Sequence, residues 1–209
     1  MNRRDFLRHS TTALAVAASF GIGSGGASAA ASAVRTFYLD GEAGNDGAAG
    51  NQPQAAWRSI ARLNATTFQP GDRIYFKRGS NFPGQFKPLG SGSATQPIVV
   101  DAYGAGELPH IRAYGKAACS VYLHNLEYWT LRNLQVSNLG AQSQPNRAGV
   151  SVNLEDFGVA HGIVLDGLYV HDVNGSLVKK QGGGAGILIN ATGKQLATRL
   201  WNALQQPGL

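Results

Sequence analysis

The chain has 209 residues, with 18 lysines and arginines, 12 acidic residues and 1 cysteine. This length is enough for one domain with a substantial core. A single cysteine excludes an intrachain disulfide, so Cys119 is expected to be a small buried residue. The net charge of +6 is not gathered into a basic run with interleaved aromatic residues, so a nucleic-acid partner is not expected.

Residues 1–29 have the pattern of an export signal. A charged start containing Arg3 and Arg4 precedes a soft apolar run at 13–22 and an Ala-Ser-Ala site at 27–29. The paired arginines resemble the twin-arginine type of signal. Glycines from 21 to 26 interrupt the apolar run far below membrane-spanning length. We therefore expect a bacterial protein exported to the periplasm or beyond, cleaved after Ala29, with no stable membrane insertion.

Cleavage there removes three arginines and one aspartate, which leaves 15 basic and 11 acidic residues. This mild positive balance is compatible with an acidic polysaccharide partner.

Residues 36–72 are expected to form an entry strand, a loop and a capping helix. The loop at 41–47 is rich in turn-forming residues, and its spaced acids lack the EF-hand arrangement, so a plain turn is preferred to a calcium site. Apolar residues at three- and four-residue steps predict a helix from Trp57 to Phe68. A short amphipathic helix in this place would cover the open end of a solenoid.

Residues 73–204 contain a repeat that predicts a stacked solenoid. One phrase reads VYLHN at 121–125, VSVNL at 150–154 and ILIN at 187–190. A second phrase recurs at 131–134, 165–168 and 201–204. Two short strands that recur together at such a period are typical of stacked coils. Counting residues 74 and 98 as earlier strand starts, the spacings are 24, 23, 29 and 37 residues.

Alternation within the strands sorts the repeat into inward and outward columns. The inward set is Val121, Leu123, Val150, Val152, Ile187 and Ile189. The outward columns are Tyr122–Ser151–Leu188, His124–Asn153–Asn190 and Arg132–Asp166–Asn202. Asparagines at strand ends are expected to hydrogen-bond along the stack and to turn backbone; they are Asn133, Asn138, Asn153, Asn174 and Asn190.

These segments resemble the secreted right-handed parallel β-helix proteins of the pectate-lyase-like superfamily. The most specific stretches form the entry segment: FYLDGEAGNDGAAGNQPQAAWRSIARLN, QPGDRIYFKRGSNFPGQF and SGSATQPIVVDAYGAGELPHI. LHNLEYWTLRNLQVSN and GIVLDGLYVHDVNG resemble the repeating coil pattern of the family. The resemblance covers about residues 36–204. It implies an all-β, right-handed parallel β-helix (solenoid) with a short N-terminal capping helix and a polysaccharide ligand, and it allows calcium as a cofactor. The full-length protein is expected to be a monomer.

The lyases of that family need a cation to neutralise the substrate carboxylate, and a basic residue to remove a proton. His171, Asp172, Lys179 and Lys180 are the best local concentration of acid, base and cation, and are the candidate catalytic residues. The alternative is that Lys179 and Lys180 are solvated surface residues and that His171 only hydrogen-bonds a turn. No cluster of carboxylates has calcium spacing, so metal ligands stay unassigned. The candidate substrate-binding residues are Tyr122, His124, Arg132, Arg147 and Tyr169, although Arg132 beside Asp166 could form only a surface ion pair.

The expected function is β-elimination by a polysaccharide lyase acting on a uronate-containing polysaccharide. The first alternative is a glycoside hydrolase, which would use two opposed carboxylates. The second is a non-catalytic binding solenoid whose outward Tyr122, Tyr128, Trp129 and Tyr169 stack on sugars.

The second phrase breaks off after Leu204, where Gln206 replaces the expected apolar residue. This favours a truncated product or a fragment of a longer gene. The alternative is a short C-terminal capping helix at 194–205.

Overall fold

A computed structural model describes residues 34–193. The predicted export segment at 1–29, the third copy of the second phrase at 201–204 and the cap considered at 194–205 lie outside the described residues. Across 34–193, no helix has the length and apolar character needed to cross a membrane.

The regular secondary structure of the described chain is almost entirely β-strand. In chain order the strands are β1 (Thr36–Leu39), β2 (Arg73–Lys77), β3 (Asn81–Pro83), β4 (Ile98–Tyr103), β5 (His110–Arg112), β6 (Cys119–His124), β7 (Trp129–Arg132), β8 (Gln135–Asn138), β9 (Ala148–Glu155), β10 (Val164–Asp166), β11 (Tyr169–Val173) and β12 (Ala185–Thr192). A 3₁₀ turn at Pro53–Ala55 and helix α1 at Ile60–Asn64 lie between β1 and β2.

The strands form three parallel sheets that run side by side along a right-handed parallel β-helix. The first sheet has the order β1-β2-β4-β7-β10, the second β3-β5-β8-β11 and the third β6-β9-β12. All recorded pairings are parallel. The solenoid predicted from the repeat is confirmed.

Each complete coil has three strands, whereas the repeat suggested two. The missed strand belongs to the second sheet; in β3 and β5 it is only three residues long, too short to show alternation. The strands starting near 98 and 121 therefore lie in different sheets of one coil, and the 23-residue spacing between them is not a coil period. The first-sheet register Ile74–Val100–Leu131–Leu165 gives periods of 26, 31 and 34 residues.

Register confirms the inward columns, and burial confirms them in β6 and β9. Val121 pairs with Val150, which pairs with Ile187, and the first two are fully buried. Burial of such a side chain contributes about 1.5–3 kcal/mol. Ile187 and Ile189 are 46% and 72% exposed, because β12 pairs only with β9 within residues 34–193.

The capping helix is shorter than predicted. Trp57 is extended and forms a parallel bridge with Leu39, so it belongs to the strand layer. Helix α1 starts only after Ser59, whose side chain accepts a hydrogen bond from the Arg62 amide. Ile60 and Leu63 are buried in the core, so this end of the solenoid is capped as expected.

The acidic loop at 40–47 is a turn held by its own carboxylates. Asp40 Oδ1 accepts hydrogen bonds from the backbone of Glu42 and Ala43, and Lys77 Nζ lies 2.6 Å from Oδ2. Burial raises the pKa of Asp40, but these hydrogen bonds together bring it below its ordinary value. The acids therefore serve local structure, as the turn interpretation predicts.

Asparagines stabilise the corners between sheets. Asn133 has a φ of 55° in the two-residue corner between β7 and β8, and Gly167 has 58° at the matching corner one coil later. Asn138 is fully buried and accepts a hydrogen bond from the Gly115 amide while donating to the carbonyls of Ala117 and Ala148. These contacts confirm that asparagine side chains satisfy turn backbone here.

Candidate functional site

The loops at two corners of the coil become longer from one coil to the next, and both corners border the third sheet. The loop between the second and third sheets has 6 residues at 113–118, 9 at 139–147 and 11 at 174–184. The loop from the third sheet back to the first has 4 residues at 125–128 and 8 at 156–163. The longest loops thus stand on both sides of the outer face of β6, β9 and β12.

A groove of about 390 Å³ lies on this face. Its lining residues are Gln85, Lys87, Ala118, Cys119, Tyr122, Asn146, Ala148, Ser151, Asn153 and Leu188. An apolar concave surface with a few polar groups is the usual form of a small-ligand site. We call it the third-sheet groove.

Tyr122 is the aromatic side chain of the groove. Its ring stacks on His124 with centroids 5.4 Å apart, and Lys87 Nζ lies 5.5 Å from its centroid. The Tyr122 hydroxyl accepts a hydrogen bond from Asn153 Nδ2 at 3.3 Å. The ring is therefore held in one orientation by groups that could also bind a polar ligand.

The next outward column is a ladder of polar side chains. His124, Asn153 and Asn190 are in register, and Asn190 Nδ2 donates to Asn153 Oδ1 at 3.5 Å. His124 Nε2 lies 3.4 Å from the Glu155 carboxylate. The columns containing Tyr122 and His124 are thus placed as the sequence predicts.

Cys119 lies in the groove but is not a nucleophile. It is 4% exposed, and burial raises the pKa of its thiol to about 11. The buried role expected from the sequence is confirmed.

Arg147 has a structural role beside the groove. It is 4% exposed, and its guanidinium donates to the carbonyl of Gln142 at 2.8 Å and to the side chain of Asn174. Arg147 thereby ties together the two longest loops, a role that the sequence did not indicate.

Arg132 and Asp166 are in register, but the ion pair of Arg132 is with Asp101. The Nε–Oδ2 distance is 2.8 Å, and Asn133 donates to the other oxygen of Asp101 at 2.7 Å. Asp101, which the sequence did not single out, is the carboxylate that anchors this corner.

Tyr122, Tyr128, Trp129 and Tyr169 were expected to point outward. Trp129 points inward instead. It is fully buried, and its indole donates to the Gly90 carbonyl at 2.9 Å. Tyr128 has a φ of 56° in the preceding corner and stacks on His161, and β7 starts only at Trp129. Tyr169 is 57% exposed, on the second sheet.

His171 and Asp172 lie in β11, on the outer face of the second sheet rather than in the third-sheet groove. His171 Nδ1 is 2.9 Å from Asp172 Oδ2, and a register shift at Asp172, with a φ of 48°, turns that carboxylate back to the ring. Gln135 Nε2 lies 2.7 Å from His171 Nε2. Since the amide nitrogen donates, His171 carries its proton on Nδ1 and directs it to Asp172.

Lys179 and Lys180 are exposed and make no ion pair or hydrogen bond with His171 or Asp172 in the described structure. The proposed acid, base and cation are therefore not assembled into one catalytic group. Of these four residues, the structure brings only His171 and Asp172 together.

A buried histidine–serine pair next to His171 was missed by the sequence reading. His110 Nε2 is 2.7 Å from Ser137 Oγ, and both residues are 5% exposed. Arg112 Nη2 donates to His110 Nδ1 at 3.0 Å, so His110 Nε2 carries the proton and donates to the serine. A histidine that donates to a serine cannot accept its proton, so this pair is not an activated nucleophile.

Burial, with the nearby Arg112 and His171, lowers the pKa of His110 to about 4. His110 is therefore neutral at physiological pH. Among residues 34–193, no group of three histidine, cysteine or acidic side chains is placed to hold a metal ion.

Known proteins of similar sequence and structure are lacto-N-biosidases. The chain is 24% identical to a lacto-N-biosidase of Bifidobacterium longum subsp. longum over 75% of this chain and 13% of the relative. The crystal structure of the GH136 lacto-N-biosidase from Eubacterium ramulus superposes with a TM-score of 0.67 and 28% identity, over 76% of this chain and 30% of that one. No protein-family model matches the chain.

The expectation of a polysaccharide lyase is wrong. The relatives above are glycoside hydrolases, the alternative class considered from the sequence. A rhamnogalacturonan lyase superposes only at a TM-score of 0.46 with 13% identity, too low to support an argument. The family resemblance was right about the β-helix but misleading about the reaction, because this fold supports several chemistries.

Proposed function

We propose that this chain supplies the N-terminal coils of a glycoside hydrolase of the lacto-N-biosidase type. The observation that carries the proposal is the 28% identity and TM-score of 0.67 to the Eubacterium ramulus enzyme over 76% of this chain. The chain spans 30% of that structure and 13% of the curated relative, so hydrolysis is proposed for the whole protein to which these coils correspond.

In this proposal the third-sheet groove binds part of the oligosaccharide. The ring of Tyr122 offers an apolar face to a sugar ring, while Asn153 and Lys87 offer hydrogen-bond donors at its edge. The long bordering loops narrow the face into a channel that suits an extended chain of sugars.

Glycoside hydrolysis requires two carboxylates that flank the scissile bond. Several described carboxylates already have structural partners: Asp40 bonds Lys77, Asp72 bonds Arg35 and Asp101 bonds Arg132. The lining of the third-sheet groove contains no aspartate or glutamate, so we assign sugar binding to the groove and propose that the cleavage step uses carboxylates outside residues 34–193.

The test uses the full chain with lacto-N-biose as ligand and an aryl lacto-N-bioside as substrate. We expect calorimetry to detect binding of the disaccharide, and Tyr122→Ala to weaken it about tenfold, which corresponds to the loss of one aromatic stacking contact. Tyr75→Ala is the matched control, because Tyr75 stacks on Tyr38 on the first sheet, away from the groove.

Disaccharide binding that is equally strong in Tyr122→Ala would overturn the groove assignment. Release of aryl alcohol by this chain alone would show that it contains the catalytic carboxylates, contrary to our assignment. Failure of lacto-N-biose to bind at all, with the control variant folded, would contradict the proposed substrate class.

A further inference from the structure

A second cavity, of about 270 Å³, lies on the outer face of the second sheet. It is distinct from the third-sheet groove, shares no lining residue with it and is polar. Its polar lining residues are Ser80, Asn81, Glu107, His110, Arg112 and Gln135. We call it the second-sheet pocket.

The pocket is built by strand register, so its side chains are held in fixed order. Asn81, His110, Gln135 and Tyr169 occupy one outward column in four successive strands. Beneath them, Phe82, Ile111 and Val136 are fully buried in the core. The rigid backbone therefore fixes the column with steps of ~4.8 Å.

Several polar groups in the pocket remain available to a ligand. Arg112 uses its guanidinium for Tyr114 and His110, which leaves donors of its five N–H groups free. In the described structure, the side chains of Glu107 and Asn81 make no hydrogen bond or ion pair. The pocket thus offers guanidinium donors, a carboxylate acceptor and an amide that does both.

The charges select the class of ligand. Glu107 and Arg112 have opposite signs, and the lowered pKa keeps His110 neutral, so the lining carries no net charge. The Glu107 carboxylate would repel a phosphate or sulfate, and the Arg112 guanidinium would repel a metal cation or an amine. A neutral polyhydroxyl compound suits both, because one hydroxyl can donate to the carboxylate while its neighbour accepts from the guanidinium.

An exposed aromatic ring extends the pocket along the column. Tyr169 is 57% exposed and lies parallel to His171, with centroids 4.5 Å apart and an interplanar angle of 22°. It is in register with Gln135, one step beyond the pocket wall. Such a ring, supported from behind by an imidazole, is a flat platform for a sugar ring.

We propose that the second-sheet pocket and Tyr169 form a second saccharide-binding site for a neutral sugar, separate from the third-sheet groove. The pocket holds the hydroxyls of one sugar ring, and Tyr169 stacks on the next. The two rings then span two coil steps, or ~9.6 Å, which suits a disaccharide or one end of a longer glycan.

The test is a titration of the full chain with lactose, lacto-N-biose, glucuronate and inorganic phosphate. Binding is monitored through the chemical shifts of the backbone amides. We expect a neutral disaccharide to shift residues around His110 and Tyr169, and glucuronate and phosphate to leave them unchanged. Glu107→Gln and Arg112→Gln should each weaken that binding at least tenfold. Arg58→Gln removes an exposed arginine far from the pocket in sequence and should have no effect.

Two further variants separate this site from the groove and from simple misfolding. Tyr169→Ala changes an exposed residue and should weaken disaccharide binding at the pocket without altering the rest of the spectrum. Tyr122→Ala should leave the pocket shifts intact, whatever it does to the groove. Wild-type affinity in both Glu107→Gln and Arg112→Gln, tighter binding of phosphate than of sugar, or no shifts with any neutral sugar would overturn the proposal.

Discussion

Buried amides replace backbone pairing at the corners of this solenoid. Asn138 sits where β8 ends, and its amide is enclosed by the Gly115, Ala117 and Ala148 backbone. Gly115 and Ala117 lie in the loop between β5 and β6, and Ala148 is the first residue of β9. One side chain therefore stabilises two successive loops.

Replacing Asn138 with alanine should cost about 2–3 kcal/mol of unfolding free energy, because several buried backbone groups lose their partner. Chemical denaturation followed by far-ultraviolet circular dichroism measures the change. Asn51→Ala, in an exposed loop, is the control and should change stability by less than about 0.5 kcal/mol. Equal stabilities for the two variants would mean that water replaces the amide.

His110 should lower the free energy of unfolding in mild acid. Its native pKa of about 4 lies below the ordinary 6.5, so the unfolded chain binds the extra proton first. Stability is then fully present above pH 6.5 and falls as the pH drops from 6.5 to 4, by at most about 3 kcal/mol.

His110→Gln should flatten this part of the stability curve, as measured by urea unfolding at pH 4.5, 5.5 and 7. The pKa values of Asp40 and Asp46 are lowered from 3.8, so most of their effect on stability lies below pH 4. The exposed His161 serves as control, and His161→Gln should keep the wild-type slope. An unchanged slope in His110→Gln would show that His110 is already protonated in the native state.

Sequence alternation predicted which side chains share a face, but not which ones touch. Tyr122 and His124 were placed correctly because they lie two residues apart on one strand. The His110–Ser137 pair joins residues 27 positions apart in strands of three and four residues, where no periodic signal exists. Contacts of that kind depend on register between coils, which becomes visible only in three dimensions.

At the level of elements, β9 depends on a glycine near its start, Gly149. A Cβ on Gly149 would lie 2.4 Å from Val170 Cγ1 and 2.7 Å from the Gly186 carbonyl oxygen. These atoms belong to β11 and β12, so the second and third sheets approach closely here because the side chain is absent.

Gly149→Ala should destabilise the protein by about 1–3 kcal/mol, since backbone must move to admit the methyl group. Gly183→Ala is the matched control, because no atom lies within 4 Å of its added Cβ. Thermal unfolding of the two variants checks the difference. Equal melting temperatures would show that β12 moves away at little cost.

The elements with repeated sequence were predictable, and those shaped by tertiary contact were not. The third-sheet strands share a phrase and were found near their true positions. The predicted helix was too long because Trp57 falls at a helical step from Ile60, yet its backbone bonds Tyr38 and Asp40 in extended form. Local periodicity cannot show that a neighbouring strand competes for the same backbone groups.

At the scale of the whole molecule, the apolar core is covered at the β1 end of the described stack and partly exposed at the β12 end. β1 is an edge strand, but Trp57, Ile60 and Leu63 close the core beside it. At β12, Ile187, Leu188 and Ile189 are 46%, 38% and 72% exposed. In a solenoid, stability is roughly a sum of terms between neighbouring coils, so it should decrease toward β12.

Hydrogen exchange measured by mass spectrometry should follow that gradient. We expect amides in β12 to exchange at least about tenfold faster than those in β6, because local opening there exposes less additional apolar surface. Amides in β1 should stay protected despite the edge position. Equal protection of β12 and β6 would contradict a gradient set by apolar cover.

The contrast between corners has a consequence for how such a protein can change. In the last two described coils, the corner between the first and second sheets has two residues, at 133–134 and at 167–168, with a positive φ at the first of them. The same corner has three residues at 78–80 and six at 104–109 in the earlier coils, and the corners beside the third sheet vary from 4 to 11 residues, while every strand keeps its parallel pairing. Foreign peptides grafted into 139–147 or 156–163 would therefore lie beside the groove without changing the strand register. The surface around the groove could in this way be changed by exchanging loops alone.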